Sequence, residues 1–105
     1  MLTPRNIFEP VAPGAAGEIF IPLLERAGFR LEQIVSHGQA SRPGFWYDQD
    51  GDEWVLLARG EAVLEFEHEC IELKDGDHLL IPAHAKHRVK SCSQDAVWLA
   101  LHVPA

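Results

Sequence analysis

The feature that most constrains this chain is a series of short apolar runs, each closed by a tight turn, that fills the sequence from Trp54 onward. One run alternates, with Leu64 and Phe66 on one face and Glu65 and Glu67 on the other, which is the period of a half-buried strand. Many short strands at close spacing predict an all-β domain, either a sandwich or a barrel. The runs are WVLLA, AVLEFE, CIEL, HLLIP, HRVKS and AVWLALHV.

The segment before these runs predicts an arm followed by a hairpin. Residues 1–17 are rich in Pro, Gly and Ala, which indicates an extended arm without a regular helix. The runs EIFIPLLE and FRLEQIVS then flank Gly28, a pattern typical of two paired strands. A short helix over residues 18–26 is the alternative, although Pro22 would break its interior.

The composition favours a globular protein and excludes several kinds of partner. The chain has 105 residues, of which 47% are hydrophobic, and a net charge of −7. A nucleic-acid partner would need a basic face. No apolar stretch reaches the roughly 18 residues of a membrane span, and the first ten residues lack the apolar run of a secretion signal. We therefore expect a cytoplasmic protein with no membrane or nucleic-acid partner. Cys70 and Cys92 lack CxxC spacing, and we expect both to be reduced thiols.

Two spacings resemble the motifs of the cupins, in particular small single-domain cupins of the RmlC-like type. Glu53, six residues and Gly60 are similar to the second half of the first cupin motif. Gly76, five residues, Pro82 and then His87 are similar to the second motif, within GDHLLIPAHAKHRV. The resemblance covers roughly residues 30–103. It implies a cupin-type double-stranded β-helix, a jelly-roll barrel, over residues 30–105, preceded by an N-terminal arm and edge strand over residues 1–29.

The first motif departs from the family pattern. Cupins normally carry a His-x-His pair three or four residues before the glutamate. Counting back four residues reaches Trp46 and Asp48, whereas counting back three reaches Tyr47 and Gln49, and neither register contains a histidine. The sequence leaves the two registers open.

The resemblance implies a metal site with fewer ligands than the family normally has. His87 and Glu53 remain as ligands, with Asp48 or Gln49 beside them. His37 is a further candidate ligand. Imidazole and carboxylate ligands together hold divalent metals such as zinc, manganese, iron or nickel. We place Trp46, Tyr47, His84 and His102 in the ligand pocket. His102 shares a strand face with Trp98 and Ala100, and His84 stands where the family usually has glycine.

Three functions follow as hypotheses. The first is a cupin whose barrel binds a divalent metal and a small molecule, with the metal acting as a Lewis acid. The second is a non-catalytic module that binds a small ligand. The third is a metal-free acid–base isomerase or epimerase that uses His87 or His84 as its base. We also expect a homodimer, because the apolar run Ile19 to Leu24 would otherwise expose an edge strand.

Overall fold

The computed structural model describes residues 2–12 and 17–104, and every regular element in these ranges is a β-strand. The all-β prediction is therefore confirmed. Of the predicted N-terminal arm, residues 1 and 13–16 lie outside the described residues, as does the C-terminal residue of the barrel. The strands are β1 (Ile19–Arg26), β2 (Phe29–Val35), β3 (Asp52–Arg59), β4 (Glu61–Phe66), β5 (Cys70–Lys74), β6 (His78–Ile81), β7 (His87–Cys92) and β8 (Val97–Val103).

The strands form two antiparallel sheets that pack against each other. One sheet has five strands in the order β1-β2-β8-β3-β6, and the other has three in the order β5-β4-β7. Alternate residues of each strand point between the sheets, so Leu57 and Ala100 of the larger sheet meet Leu64 and Val89 of the smaller one. This non-sequential strand order agrees with the jelly-roll barrel that the sequence predicts.

The predicted hairpin around Gly28 is present. Strand β1 pairs antiparallel with β2, and the register shifts between Pro22 and Leu24. β1 lies at the edge of its sheet. A proline is tolerated in an edge strand because the open side of that strand has no partner that needs a backbone N–H donor. The division of the chain at residue 29 remains a prediction.

Two glycines permit the turns that connect the two sheets, Gly60 between β3 and β4 and Gly76 between β5 and β6. Gly60 has a φ of +108° and Gly76 a φ of +88°, a region that residues with a side chain rarely adopt. Gly60 is also crowded, because a Cβ there would lie 2.5 Å from the Ser93 hydroxyl and 3.0 Å from Ala96 Cα. Gly60 therefore lets the β3–β4 turn approach the β7–β8 connection.

The described part of the N-terminal arm attaches to the larger sheet. The Gln33 side chain donates a hydrogen bond to the Ile7 carbonyl, and the Arg59 guanidinium lies over the Phe8 ring, 4.8 Å from its centroid. Within the residues that the structure describes, no helix is long and apolar enough to cross a membrane.

Candidate functional site

A single β-bridge between Tyr47 and His87 positions one side of the site. The Tyr47 N–H donates to the His87 carbonyl at 2.7 Å, and the His87 N–H donates to the Tyr47 carbonyl at 3.1 Å. Residues directly opposite in an antiparallel pair project to the same face. Accordingly the Tyr47 and His87 rings stack, with their centroids 5.3 Å apart. His87 begins β7 and also pairs with Phe66 of β4.

Glu53 approaches His87 from the opposite sheet. It lies on β3, where it pairs with His102 of β8 on one side and with Ile81 of β6 on the other. Both Glu53 and His87 are buried, at 7% and 6% of their full exposure. A carboxylate and an imidazole from two sheets thus meet inside the barrel.

The Glu53 and His87 side chains form a buried ion pair, with 3.3 Å between Glu53 Oε1 and His87 Nε2. The other ring nitrogen, Nδ1, donates to the Ala85 carbonyl at 2.9 Å, so a proton on Nε2 facing Glu53 is the second proton of the ring and makes the imidazole positively charged. Burial acts to lower the pKa of His87, but the hydrogen bonds to Glu53 and Ala85 outweigh it and the pKa is raised. Burial likewise acts to raise the pKa of Glu53, but the two histidines and Gln49 together lower it.

A second polar contact chain extends from Glu53 along the same wall. Gln49 Nε2 donates to Glu53 Oε1 at 2.7 Å, and Gln49 Oε1 accepts from His102 Nδ1 at 3.1 Å. His102 Nε2 donates to Glu32 Oε1 at 2.9 Å. Both ring nitrogens of His102 therefore lie within hydrogen-bond distance of an oxygen. The barrel therefore contains two histidine–glutamate pairs linked by one amide.

These groups line a cavity of about 420 Å³, a size suited to a small ligand. Its walls differ in character. The lining includes the polar chain together with Tyr47, Arg30 and Glu18. On β2 and β8 the polar Arg30, Glu32 and His102 lie toward one end of the strands, and Ile34 and Trp98, which pair with each other, lie toward the other. The apolar lining residues are Phe20, Ile34, Val55, Leu64, Ile81, Val89 and Trp98.

The bridge at Tyr47 distinguishes the two registers that the sequence left open. Tyr47 and Gln49 line the cavity, whereas the intervening Asp48 and the preceding Trp46 do not, because alternate residues of an extended segment point to opposite sides. Trp46 instead lies under the Arg88 guanidinium, 4.3 Å from its ring centroid.

Asp48 makes an exposed contact with His84, outside the cavity. The His84 Nδ1 to Asp48 Oδ1 distance is 2.9 Å, and His84 Nε2 is 3.7 Å from Asp50 Oδ1. His84 has a φ of +62°, which explains why the family usually places glycine at this position. Its hydrogen bond to Asp48 raises the pKa of the exposed imidazole.

His37 also lies apart from the cavity lining. Its backbone N–H donates to Gln39 Oε1 at 2.7 Å, and its Nε2 is buried without a hydrogen-bond partner among the described residues. The neighbouring Ser36 hydroxyl lies 2.8 Å from the Cys92 thiol. Of the nine residues predicted for the site, the structure brings five to one cavity. They are Glu53, His87, Gln49, Tyr47 and His102, while Trp46, Asp48, His84 and His37 lie elsewhere.

Sequence reasoning missed three charged residues of the cavity wall, namely Glu18, Arg30 and Glu32. Arg30 and Glu32 alternate with Ile34 on β2, and Glu32 pairs with Ala100 of β8. The signal was this alternation, read together with the apolar positions of β8. Glu18 lies just before β1 and carried no such signal.

The donor set does not fit the three-His-one-Glu shell of the family. Tyr47 and Gln49 occupy the positions of its first two histidines, and both nitrogens of His102 are committed to Gln49 and Glu32. In residues 2–12 and 17–104, no group of three or more His, Cys, Asp or Glu is placed to hold a metal ion. The two remaining donors, His87 and Glu53, contact each other.

Comparison with known proteins agrees with this architecture. The family model for the cupin domain matches residues 32–102. The chain belongs to the cupin family. Comparison with curated proteins gives no match.

Several solved cupin structures resemble this one. A protein from Ralstonia eutropha JMP134, described as a candidate mannose-6-phosphate isomerase, is 46% identical, with 99% of this chain and 100% of that chain covered and a TM-score of 0.90. A cupin superfamily protein from Desulfitobacterium hafniense DCB-2 is 20% identical over 90% of this chain and 84% of that chain, with a TM-score of 0.74. An RmlC-like cupin from Desulfovibrio desulfuricans is 17% identical over 99% and 98%, with a TM-score of 0.74. The last two similarities concern the fold alone.

Proposed function

We propose that this cupin binds a small carbonyl compound in its barrel and moves a proton on it, as a metal-independent isomerase or epimerase. The observation that carries the proposal is the buried Glu53–His87 pair on the cavity wall, at 3.3 Å. General acid–base catalysis commonly uses a pair of titratable side chains that are buried in a cavity. The Ralstonia relative, 46% identical, is described as an isomerase, which supports the same class of reaction.

The chemistry needs one acceptor and one donor of protons. Glu53 Oε1 is engaged by Gln49 and His87, whereas the basic nitrogen near Glu53 Oε2, among the described residues, is His102 Nε2 at 3.9 Å. In the proposed reaction, Oε2 takes a proton from the hydroxyl-bearing carbon next to the substrate carbonyl. The C–H electron pair moves onto the carbonyl oxygen, which takes a proton from His87 Nε2 to give an enediol. For isomerisation, the other hydroxyl of the enediol returns a proton to His87 as it becomes the new carbonyl, and Oε2 returns its proton to the former carbonyl carbon. For epimerisation, the first hydroxyl returns its proton to His87, a water molecule protonates the opposite face of the original carbon, and the resulting hydroxide takes the proton held by Oε2.

Hydrogen exchange with solvent tests this proposal directly. We would incubate the protein in D₂O with aldoses, ketoses and small hydroxyketones and follow loss of the C–H signal by proton NMR. Glu53→Gln and His87→Asn should each slow exchange by about 100-fold or more. Asp48→Asn, a matched change at an exposed carboxylate outside the cavity, should leave the rate unchanged. Absence of exchange with every compound, or equal rates in all variants, would overturn the proposal.

Elemental analysis separates this proposal from a metal-dependent reading of the same residues. The protein would be purified without a metal-affinity tag and compared with Glu53→Ala and His87→Ala. A stoichiometric divalent metal that disappears in both variants, with exchange lost on chelation and restored by the metal, would replace the acid–base proposal by a metal-dependent one. Saturable ligand binding without exchange in any preparation would favour a non-catalytic binding module.

The proposal includes a homodimer in the cytoplasm. β1 is an edge strand whose Phe20, Leu23 and Leu24 are 48%, 44% and 39% exposed, and an exposed apolar edge favours pairing with a second copy. The two cysteines are unpaired, as is usual in a reducing compartment. Light scattering should give twice the chain mass, and Leu23→Asp should lower it; a monomeric wild type would contradict the dimer. Cell fractionation tests the location.

A further inference from the structure

We infer that the cavity selects uncharged oxygen-bearing molecules with one apolar side and rejects their anionic counterparts, and that Glu18 is the residue that sets this selectivity. The inference rests on the proposed function in taking this cavity as the substrate site, but it concerns binding and does not require turnover. It is carried by the way in which the charged groups of the cavity are already paired with one another.

Each basic side chain of the described wall already has a carboxylate close to it. His87 is paired with Glu53 at 3.3 Å, and His102 with Glu32 at 2.9 Å. Arg30 is the one lysine or arginine of the lining, and its Nε lies 3.9 Å from the second oxygen of Glu32. An anionic ligand would therefore have to compete with these carboxylates for every basic side chain of the described lining.

This wall offers little for binding a phosphate or carboxylate. Proteins bind such groups with an unshared Arg fork, a lysine or the N-terminus of a helix. The described residues contain no helix, and the one guanidinium of the described lining has a Glu32 carboxylate oxygen 3.9 Å from its Nε. A sugar phosphate, the ligand class named for the Ralstonia relative, would therefore meet a guanidinium that already faces a carboxylate.

Glu18 is the acidic residue of the described lining that belongs to none of these ion pairs. It lines the cavity beside Phe20 and Tyr47 and has no hydrogen bond or ion pair with another described residue. Burial raises the pKa of this carboxyl. As a carboxylate Glu18 repels an anion and accepts a hydrogen bond from a hydroxyl group or an amide N–H. It is in this form that Glu18 disfavours an anionic ligand.

The apolar part of the cavity lining determines that the ligand has an apolar side. Ile34, Val55 and Leu64 belong to the apolar part of the cavity lining, and their aliphatic side chains offer no hydrogen bonds to a ligand surface. A polyhydroxylated molecule with polar groups all round would lose hydrogen bonds to water on that side without replacement. A small hydroxyketone or amide, polar at one end and apolar at the other, matches the polar and the apolar end of the lining.

Binding to matched pairs of compounds tests the inference. The probes are hydroxyacetone against hydroxyacetone phosphate, and lactamide against lactate, titrated into the full chain while NMR follows the imidazole signals of His87 and His102. The uncharged member of each pair should bind about tenfold more tightly or better. Glu18→Gln should strengthen binding of the anions several-fold and change binding of the uncharged members less. Glu65→Gln, which alters a carboxylate outside the cavity lining, should change neither.

The outcomes separate this inference from the proposed function. Tighter binding of the anions by wild type, or an unchanged preference in Glu18→Gln, overturns the inference even if solvent exchange is catalysed. Selective binding of uncharged probes without exchange supports the inference and removes the proposed reaction. If Glu18→Gln lowers the unfolding temperature, Glu18→Ser provides the same removal of charge with a smaller side chain, and an unchanged preference in that variant overturns the inference as well.

Discussion

The backbones of Tyr47 and His87 exchange two hydrogen bonds, 2.7 and 3.1 Å long. This pairing turns the side chains of Tyr47 and Gln49 toward the cavity and leaves those of Trp46 and Asp48 outside it. The positions at which the family carries its two histidines are therefore occupied here by a phenol and an amide. The first prediction follows from this register.

Replacing Tyr47 and Gln49 together by histidine should create a metal site. The two imidazoles would join His87 and Glu53 and restore the ligand set of the family, which suits divalent zinc, manganese, iron or nickel. Elemental analysis after dialysis against each metal should show a stoichiometric gain over wild type. Trp46→His with Asp48→His is the matched control, because those positions face outward. Equal metal binding by both double variants would contradict the register.

The Glu53–His87 pair should show strong energetic coupling. Removing one partner leaves the other charge buried, which costs about 3–5 kcal/mol of unfolding free energy. We expect Glu53→Ala and His87→Ala each to be strongly destabilising, and the double variant to be clearly less so than their sum. Urea denaturation of the four proteins measures the coupling. The same cycle on Glu65 and Arg88, a more exposed pair at 2.9 Å, should show less coupling, and additive effects at both pairs would contradict the prediction.

The same pair should make stability depend on pH within a defined window. The pKa of Glu53 is lowered from 4.5, so its contribution is complete above pH 4.5 and is lost as the pH falls through the folded value. The pKa of His87 is raised from 6.5, so its contribution is complete below pH 6.5 and is lost as the pH rises through the folded value. The pair therefore stabilises most between these two values.

A comparison of wild type with His87→Asn over a pH series measures this window. The difference in unfolding free energy between the two proteins should be largest between pH 4.5 and 6.5 and should shrink on both sides. A difference that keeps growing as the pH rises above the window would mean that His87 is held neutral in the folded protein, contrary to the positively charged form inferred from its contacts.

The sheet architecture was accessible from the sequence because it depends on local patterns. Alternation and turn residues indicated all eight strands, and the position of His102 two residues beyond Ala100 predicted the strand face on which it lies. The hairpin at Gly28 was predicted on the same basis, with Pro22 deciding against the helix. Each of these inferences uses information from neighbouring residues only.

The composition of the site was less accessible because it depends on contacts between distant segments. The segment that holds Tyr47 and Gln49 is not a strand with a readable period; its register is fixed by one bridge to His87. Glu32 is paired with His102 across two strands, and charged residues in a hairpin are usually solvent-facing. No spacing in the sequence indicates that Glu18 reaches the cavity.

The final prediction concerns Gly60, whose turn joins the strand of Glu53 to the smaller sheet. Alanine there would combine a positive φ of 108° with a Cβ only 2.5 Å from the Ser93 hydroxyl. Gly76 is the matched control, because it has a similar φ of 88° but a Cβ added to it would meet no atom within 4 Å. Gly76→Ala should thus lower the unfolding free energy by the backbone strain alone, about 1–3 kcal/mol. Gly60→Ala should lower it by the strain and by the steric conflict together, about 1–3 kcal/mol more.

A third variant, Gly28→Ala, tests a glycine with open space and no positive φ, and it should change the unfolding free energy by no more than about 0.5 kcal/mol. Urea denaturation of the three variants measures the order, and equal losses for Gly60→Ala and Gly76→Ala would mean that Ser93 and Ala96 move aside without cost.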